Sequence, residues 1–568
     1  MKQFNGLCLS SFNAANFAQL LTHDVELPVV RAEVGEYGQW FSVEEAEPGS
    51  GPALDFLFIW TMPEHISPCF NRLLRFEPGG IEELKRDVDD FCKRVLAMRE
   101  RAPLLFLPLW LMPPDNRGLG ALDLVADNGV GRGLLEMNTR LCQQLKGVKG
   151  VILLNASRWS AVVGRRSFQP KMWYMAKNPF SNELYAEAVR DTKSALAGSI
   201  GKTRKLIVVD LDDTLWGGLV GEVGWKGIRL GGHDYIGEAH QDFQRGLKAL
   251  RNRGILLAIA SKNDEDVALE AIRRHPEMIL RPEDFVGWKI NWNDKAENIA
   301  ELVRKLNLGL DSVVFIDDSQ FERQRVKGAL PEILVPEWPV DKTRYASELQ
   351  GLKCFEQAQV TAEDLGRTKM YHEEEQRANA KNEHASLEEW LASLELAVTL
   401  NPLDESDMPR AVQLINKTNQ MNLTTRRLNE QELKQWRQDT GAAIWSVRVS
   451  DRYGDSGITG VLSVISDPNI EDAARIVDYV LSCRVLGRKV EEVMFHAAIV
   501  WARARQKSRL LATYVPTERN RICLDFWKGS GCEWCEEDNT FVWHTEAGHS
   551  LPDCIKVRGN VLEAAVDA

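Results

Sequence analysis

Several features that would define a membrane-bound, secreted or nucleic-acid-binding protein are missing from this sequence of 568 residues. The most apolar stretch, residues 103–112, is too short to span a bilayer and contains Pro108. Residues 1–9 show no signal pattern, and a net charge of −12 gives no general affinity for nucleic acid. We therefore expect a cytoplasmic protein without membrane or nucleic-acid partners.

Cysteine is sparse, and no cysteine lies between Cys142 and Cys354. Ten cysteines scattered over this length fit reduced thiols better than a disulfide scaffold. Residues 1–200 also lack a glycine-rich phosphate loop and a Gly-x-Ser-x-Gly nucleophile elbow. A structural or docking role is therefore the favoured interpretation of this N-terminal part.

The length exceeds that of one hydrophobic core and predicts about three domains. Strands predicted at 55–60, 104–110 and 150–155, with a long helix from 81, indicate an α/β domain. We predict an N-terminal α/β domain (1–200), a central α/β domain (203–345), a helical connection (355–395) and a C-terminal α+β domain (396–568).

The central domain begins with the stretch KLIVVDLDDTLW, residues 205–216. Its apolar run with β-branched residues predicts a buried parallel strand. Asp210 and Asp212 follow directly, at the carboxyl end, where open α/β sheets bind their ligands. A second strand ends at Ser261, a helix begins at Lys295, and a third strand ends in Asp317 and Asp318. The topology directs all of these side chains into one crevice.

These residue types together predict Mg²⁺-dependent phosphoryl transfer, which needs a nucleophile, a metal, a cation and a proton donor. Asp210 is suited to be an aspartyl nucleophile held at the metal, and Asp212 to be the general acid and base. Ser261 and Lys295 are suited to bind the phosphoryl group. The predicted metal ligands are carboxylates, the donors that Mg²⁺ prefers: Asp210, Asp212, Asp317 and Asp318.

The four motifs resemble those of the haloacid dehalogenase (HAD) superfamily. The sequences DLDDTLWGGLVGE, SKND, NWNDKAENI and FIDDSQFER resemble its FkbH-like branch in subfamily IIIC. The resemblance implies a Rossmann-like central domain, Mg²⁺ and an aspartyl nucleophile. It also implies that the Asp318 position often provides the late metal ligand, so both Asp317 and Asp318 are kept as candidates.

FkbH-like proteins are implied to dephosphorylate 1,3-bisphosphoglycerate and to load the glyceryl group as a thioester on an acyl carrier protein. This chemistry supplies units to polyketide and related pathways. Only 48 residues separate Asp212 from Ser261, and 33 separate Ser261 from Lys295, so neither gap holds a large cap domain. An open site suits a bulky partner such as a carrier protein's phosphopantetheine arm.

One position departs from some members of the branch, which have a cysteine just before the motif serine. Here that residue is Ala260. Transfer is then direct, another domain's thiol serves, or the protein is not a glyceryl transferase. The alternatives are a plain HAD phosphatase acting on a small or carrier-bound phosphoester, and a non-catalytic docking module of a multienzyme assembly.

Residues 417–427 and 481–488 resemble the C-terminal part of longer FkbH-like proteins. Residues 481–488 with the following helix, and 513–520 with 526–534, resemble an N-acetyltransferase (GNAT-like) fold. A loop between a strand and a helix is an anion site suited to a pyrophosphate. Its candidate binding residues are Arg484, Gly487 and Arg488, although Lys489 stands where the usual loop has a small residue. Cys483, beside this loop, is the candidate thiol carrier because a helix N-terminus lowers the pKa of a thiol.

Overall fold

The structure, a computed structural model, describes residues 3–41, 54–357, 365–384 and 386–559. It divides into two compact units, Met1–Leu365 and Gly366–Ala568. The predicted boundary at residues 200–203 lies inside the first unit, where Lys353 pairs with Glu187 at 3.0 Å. The predicted connection, 355–395, lies partly outside the described residues. Its later part packs into the second unit, because Trp390 and neighbouring apolar residues join that unit's core.

The first unit begins with parallel strands in the order β2-β1-β3-β4-β5. The strands are β1 (Phe4–Ser10), β2 (Val30–Val34), β3 (Phe56–Trp60), β4 (Leu104–Pro108) and β5 (Val151–Leu154). The helices are α1 (Ala15–His23), α2 (Pro63–Ile66), α3 (Pro68–Leu73), α4 (Ile81–Ala97), α5 (Val130–Leu145), α6 (Ala156–Val163), α7 (Pro170–Ala176) and α8 (Asn182–Ser199). The predicted α/β class of this part is confirmed, and β1 and β2 are additional strands.

A second parallel sheet of the same unit has the order β8-β7-β6-β9. Its strands are β6 (Leu206–Val209), β7 (Leu256–Ser261), β8 (Phe285–Ile290) and β9 (Val313–Ile316). The helices are α9 (Val220–Gly227), α10 (Tyr235–Asn252), α11 (Glu265–Arg274), α12 (Lys295–Lys305), α13 (Gln320–Ala329) and α14 (Tyr345–Gly351). The predicted central domain thus extends beyond residue 345, since Leu349 and Phe355 belong to its core.

Strands β6, β7 and β9 are buried on both faces, which is why their sequences are continuous apolar runs. All three run in the same direction. The polar residues that follow or end them therefore meet at one edge of the sheet. The chain between β6 and β7 contains only α9 and α10 and no additional domain, in agreement with the short spacing in the sequence.

The second unit is built on a mixed sheet in the order β16-β17-β15-β14-β13-β12-β10-β18, with β11 paired to β14. The strands are β10 (Leu396–Pro402), β11 (Met421–Asn422), β12 (Ala443–Asp451), β13 (Gly454–Ser466), β14 (Ala473–Leu481), β15 (Arg509–Thr513), β16 (Glu533–Cys535), β17 (Thr540–His544) and β18 (Ile555–Arg558). The helices are α15 (Arg367–Glu383), α16 (Leu387–Ser393), α17 (Met408–Lys417), α18 (Glu430–Thr440), α19 (Val490–Ala504) and α20 (Arg521–Gly529). The predicted α+β class is confirmed.

Over the described ranges, no helix is long and apolar enough to cross a membrane.

Candidate active site

Three carboxylates lie together at the carboxyl edge of the second sheet of unit 1. Asp210 follows β6, and Asp317 and Asp318 follow β9. Each offers an oxygen, and these oxygens lie within 4.8 Å of one another. Because β6 and β9 are hydrogen-bonded neighbours, their ends bring together residues that are more than 100 positions apart. The sequence-based grouping of these three side chains is therefore present in the structure.

Lys295, the first residue of α12, provides the positive charge of this cluster. Its Nζ atom lies 2.6 Å from Asp317 Oδ2 and 3.0 Å from Asp210 Oδ1. Burial alone would lower the pKa of Lys295, but the two carboxylates outweigh it and raise the pKa above its usual value. Lys295 is therefore charged at neutral pH although it is only 3% exposed.

The carboxylates repel one another in this buried setting. Burial, followed by the charge of Asp210, raises the pKa of Asp317, and the ion pair with Lys295 offsets only part of the effect. Burial also raises the pKa of Asp318, against the opposing charge of Lys342. The cluster is thus poorly neutralised by the protein alone.

The chemistry of this donor set fits a hard divalent cation. All three side chains provide carboxylate oxygens, which Mg²⁺ prefers over nitrogen or sulfur. The ion pair between Lys295 and Asp210 Oδ1 does not have hydrogen-bond geometry, so this buried oxygen accepts no hydrogen bond from the described residues. Lys295 Nζ, 3.0 Å away, compensates this oxygen by its charge, and the oxygen's lone pairs remain available to a metal ion.

Asp212, which the sequence also places among the metal ligands, is not part of this group of three. Its Oδ1 atom accepts hydrogen bonds from Trp216 Nε1 at 2.8 Å and Val220 N at 3.0 Å. Its Oδ2 atom accepts one from Asn263 Nδ2 at 2.9 Å. Burial raises the pKa of Asp212 despite these donors. A fixed carboxyl group with a raised pKa is suited to proton transfer.

Ser261 is the last residue of β7 and is buried beside β6, so it lies at the same sheet edge as Asp210. The backbone oxygen of Ser261 accepts a hydrogen bond from Asn291 N at 3.1 Å, which fixes the strand end. Ala260, the preceding residue, is fully buried. No thiol therefore stands next to the motif serine.

Helix caps fix the residues that surround the cluster. The Asp294 side chain accepts hydrogen bonds from the first turn of α12, which presents Lys295. Ser319 caps α13 in the same way, directly after the two carboxylates of β9. Arg323 on α13 donates to the backbone oxygens of both Asp317 and Asp318, at 2.8 and 2.7 Å. The site is thus built on rigid elements.

Three residues of this region were not predicted from the sequence as site residues: Asn263, Arg323 and Lys342. Asn263 stands in a quoted motif, and its position two residues after Ser261 could have indicated a contact with Asp212. Arg323 and Lys342 contact backbone oxygens, and Lys342 lies in a segment without periodicity. No sequence pattern marks such contacts.

In unit 2, the predicted pyrophosphate loop follows β14 and leads into α19. The backbone N–H of Gly487 donates to Glu491 Oε1 at 2.8 Å. Glu491 and Glu492 both lie in the first turn of α19, so negative charge already occupies this helix N-terminus. An anion at the loop would have to displace a carboxylate.

The arginines of the loop are engaged by α15. Arg488, 3% exposed, donates two hydrogen bonds to Glu374, at 2.8 and 3.0 Å, and lies 3.5 Å from Asp451. Arg484 Nη1 lies 3.0 Å from Met370 Sδ. The structure thus places Arg484, Gly487 and Arg488 together, but it does not show the open anion site that the sequence predicts.

The gap between β14 and β15 is also closed by the chain itself. These strands pair only at their beginnings, Ala473–Ile476 with Arg509–Ala512. Further along, β11 pairs with β14, Leu423 N donates to Tyr479 O at 3.3 Å, and Val515 N donates to Leu423 O at 2.9 Å. Part of the 417–427 stretch therefore acts as a bridging segment.

Cys483 lies two residues beyond β14 and is exposed. It begins a short 3₁₀ turn, whereas α19 starts at Val490. The N-terminus of α19 is thus not at Cys483. The accessibility of Cys483 remains compatible with reaction.

Comparison with solved structures shows what the larger part of the chain is similar to. No family model and no curated protein matches the chain. The N-terminal part of protein BF1531 from Bacteroides fragilis, a crystal structure containing a phosphatase domain complexed with Mg, is 28% identical with a TM-score of 0.57. The match covers 63% of this chain and 95% of that chain. The α/β fold with a phosphatase-like domain is therefore shown for the larger part of the sequence.

A smaller part of the chain matches acetyltransferase structures. A GNAT-family acetyltransferase from Staphylococcus aureus Mu50 is 10% identical with a TM-score of 0.22, covering 26% of this chain and 99% of that chain. A ribosomal-protein-alanine N-acetyltransferase from Brucella melitensis is 14% identical with a TM-score of 0.21, covering 26% and 98%.

Proposed function

We propose that the chain is a Mg²⁺-dependent phosphatase of the HAD type. The observation that carries this proposal is the cluster of Asp210, Asp317 and Asp318 within 4.8 Å, paired with the buried Lys295. The resemblance to a phosphatase domain solved with Mg supports it. Asp210, Asp317 and Asp318 would hold Mg²⁺, which would neutralise phosphoryl oxygens when bound.

In the proposed reaction, a carboxylate oxygen of Asp210 attacks the phosphorus atom and the bond to the leaving oxygen breaks. Asp212 donates a proton to that oxygen, a role that its raised pKa favours. Water then attacks the phosphorus of the aspartyl phosphate, giving its proton to Asp212 and releasing phosphate from Asp210. Lys295 and Ser261 bind the transferring group, and Asn263 holds the acid–base carboxyl in place.

For the finer assignment, we propose an FkbH-like enzyme that removes phosphate from 1,3-bisphosphoglycerate and loads the glyceryl group on an acyl carrier protein. The quoted motifs support this proposal. Because Ala260 leaves no thiol beside Ser261, Cys483 is the candidate thiol carrier, and its exposure permits this role. Polyketide or related biosynthesis and a cytoplasmic location belong to the same proposal.

A plain phosphatase is the second candidate, and the buried Ala260 favours it. It requires the same cluster of carboxylates and the same lysine, but no carrier protein. Both candidates use Asp210 to remove a phosphoester phosphate. In the transferase a thiol must also attack the acyl carbon of the acyl phosphate, which expels the other phosphate and forms the thioester.

Intact-mass spectrometry separates the two candidates. Purified protein, Mg²⁺ and freshly generated 1,3-bisphosphoglycerate are mixed with a phosphopantetheinylated carrier protein, and phosphate release is measured in parallel. Asp210→Asn removes the nucleophile and should abolish phosphoester hydrolysis and the glyceryl mass on the carrier, whereas Asp266→Asn, an exposed carboxylate on α11, should leave both unchanged. Cys483→Ala should abolish loading and retain phosphate release.

A glyceryl mass on the carrier that depends on Asp210 supports the transferase. Phosphate release with an unmodified carrier supports the plain phosphatase. Activity that persists in EDTA or in Asp210→Asn would reject the phosphatase site itself.

A further inference from the structure

A second lysine lies at the edge of the candidate site, and neither the sequence motifs nor the proposed reaction gives it a role. Lys342, between α13 and α14, donates a hydrogen bond to Asp213 O at 2.7 Å and another to Tyr345 Oη at 2.9 Å. Its Nζ atom also lies 3.6 Å from Asp318 Oδ2. One ammonium group therefore contacts both chain segments that carry the proposed machinery.

The first contact is with a turn that needs external support. Asp213 has a φ of 52°, a left-handed backbone that residues with a Cβ atom adopt at a cost. Its Oδ1 atom accepts from Gly218 N at 3.0 Å, and its carbonyl oxygen is held by Lys342 and Tyr345. Because Asp213 directly follows Asp212, the orientation of this turn fixes the proposed acid–base group.

The second contact is electrostatic. Asp318 is the most exposed carboxylate of the cluster, with 28% of its side chain accessible, and Lys342 is its nearby cation. Lys295 instead pairs with the other two carboxylates of the cluster, Asp210 and Asp317. The positive charge of Lys342 therefore orients Asp318 and at the same time opposes the approach of a divalent cation.

We propose that Lys342 is a positioning residue that holds the Asp213 turn and orients Asp318, and that its charge weakens cation binding at the cluster. The proposal rests on the proposed Mg²⁺-dependent phosphatase function. Lys342 thus has two separable effects. Its contacts with Asp213 O and Asp318 hold the site in place and raise kcat, while its positive charge weakens Mg²⁺ binding.

The test compares full-length variants in two assays. Calorimetry with Mg²⁺ gives the dissociation constant, and hydrolysis of p-nitrophenyl phosphate gives kcat. Lys342→Met should lower kcat about tenfold, yet bind Mg²⁺ about three- to tenfold more tightly, because a positive charge is removed. Lys342→Arg should keep the wild-type dissociation constant. Lys327→Met, an exposed lysine on α13, should change neither quantity.

Tyr345→Phe separates geometry from charge, since it removes only the hydroxyl that contacts Lys342 and Asp213 O. It should lower kcat without changing the Mg²⁺ dissociation constant. The proposal is overturned if Lys342→Met leaves both quantities unchanged. It is also overturned if that variant binds Mg²⁺ more weakly in proportion to a lower melting temperature, as a purely structural role predicts. Wild-type protein that binds no Mg²⁺ would instead reject the proposed function, and the role of Lys342 with it.

Discussion

Replacing Lys295 with methionine should destabilise unit 1 in a way that Mg²⁺ partly reverses. The substitution keeps much of the side-chain volume but removes the charge that lies between Asp210 and Asp317. Because Asp317 is fully buried and Lys295 almost so, the variant retains buried carboxylates without their partner. Breaking a buried ion pair from one side typically costs about 3–5 kcal/mol.

The loss of unfolding free energy in Lys295→Met should depend on pH and on Mg²⁺. Burial already raises the pKa of Asp317, and without Lys295 it rises further. A carboxyl group with a raised folded-state pKa loses stabilising free energy as the pH increases through that pKa. The deficit of Lys295→Met should therefore be largest near pH 8 and smallest near pH 4. Mg²⁺ at a hundredfold excess over its dissociation constant adds about 2.7 kcal/mol to any protein that binds it only when folded.

Urea unfolding of the full chain at pH 8, 6 and 4.5, with Mg²⁺ or EDTA, measures these free energies. Lys289→Met is the matched control, because Lys289 pairs with Glu301 on the exposed side of α12. Phosphatase activity of Lys295→Met should fall about 10²–10³-fold, the usual cost of one preorganised electrostatic contact. An equal loss of stability at every pH, or a loss that Mg²⁺ increases, would refute the electrostatic reasoning.

Three further predictions concern other parts of the chain. Burial lowers the pKa of His240 from 6.5 to about 4, and its Nδ1–H donates to Thr214 O. The stabilising contribution of neutral His240 is therefore complete above pH 6.5 and is lost as the pH falls towards 4. Between pH 8 and pH 5, the unfolding free energy measured with urea should fall by about 2 kcal/mol more in the wild type than in His240→Gln. Arg377→Met breaks a buried ion pair with Asp451 and should lower the unfolding free energy of unit 2 by about 3–5 kcal/mol, seen in calorimetry as a lower transition temperature. Phosphatase activity should be retained. Isothermal titration of the full chain with coenzyme A up to 1 mM should show no saturable binding, since Glu491 and Glu374 engage the loop; saturation in the micromolar range would contradict this.

The strands of the central sheet could be predicted because strands buried on both faces have continuous apolar sequences. A parallel strand that is covered on both faces must be apolar throughout, and β6 is. Carboxylates directly after such a strand have one location open to them, the carboxyl edge. Asp210, Asp317, Asp318 and Lys295 could therefore be grouped before any coordinates were known. The role of each group in the reaction remains a prediction.

Strands β1 and β8 are harder to predict from the sequence, and each for a physical reason. β1 contains Gly6, which is low in strand propensity, and the Phe56 ring occupies the space that a Cβ atom at this position would need. β8 is an edge strand with three partly exposed residues in a row, so its pattern is neither a continuous apolar run nor a clean alternation. Both strands depend on contacts with neighbours that are distant in sequence.

Unit 2 shows why a motif alone was insufficient. A loop before a helix predicts an anion site only if its N–H groups and cations are free, and here the chain supplies the anions. Glu491 binds the amide of Gly487, and Glu374 binds Arg488. These carboxylates are four and 114 residues away from the groups that they bind, so only the first could have been suspected from spacing.

The engagement of the loop after β14 by Glu491 and Glu374 also limits the routes that acyl transfer could take. A ligand with a pyrophosphate at the helix N-terminus would need the loop after β14, and an extended arm beside the last residues of β14 would need that part of the strand to be uncovered. Glu491 and Glu374 occupy the first, and β11 with Leu423 covers the second through backbone hydrogen bonds. Displacing both would break the ion pair between Arg488 and Glu374 and the strand pairing for one binding event, which a weakly held small ligand cannot offset. An acyl group delivered by a carrier protein to an exposed thiol such as Cys483 requires neither displacement, which is why we favour that route for the proposed transferase.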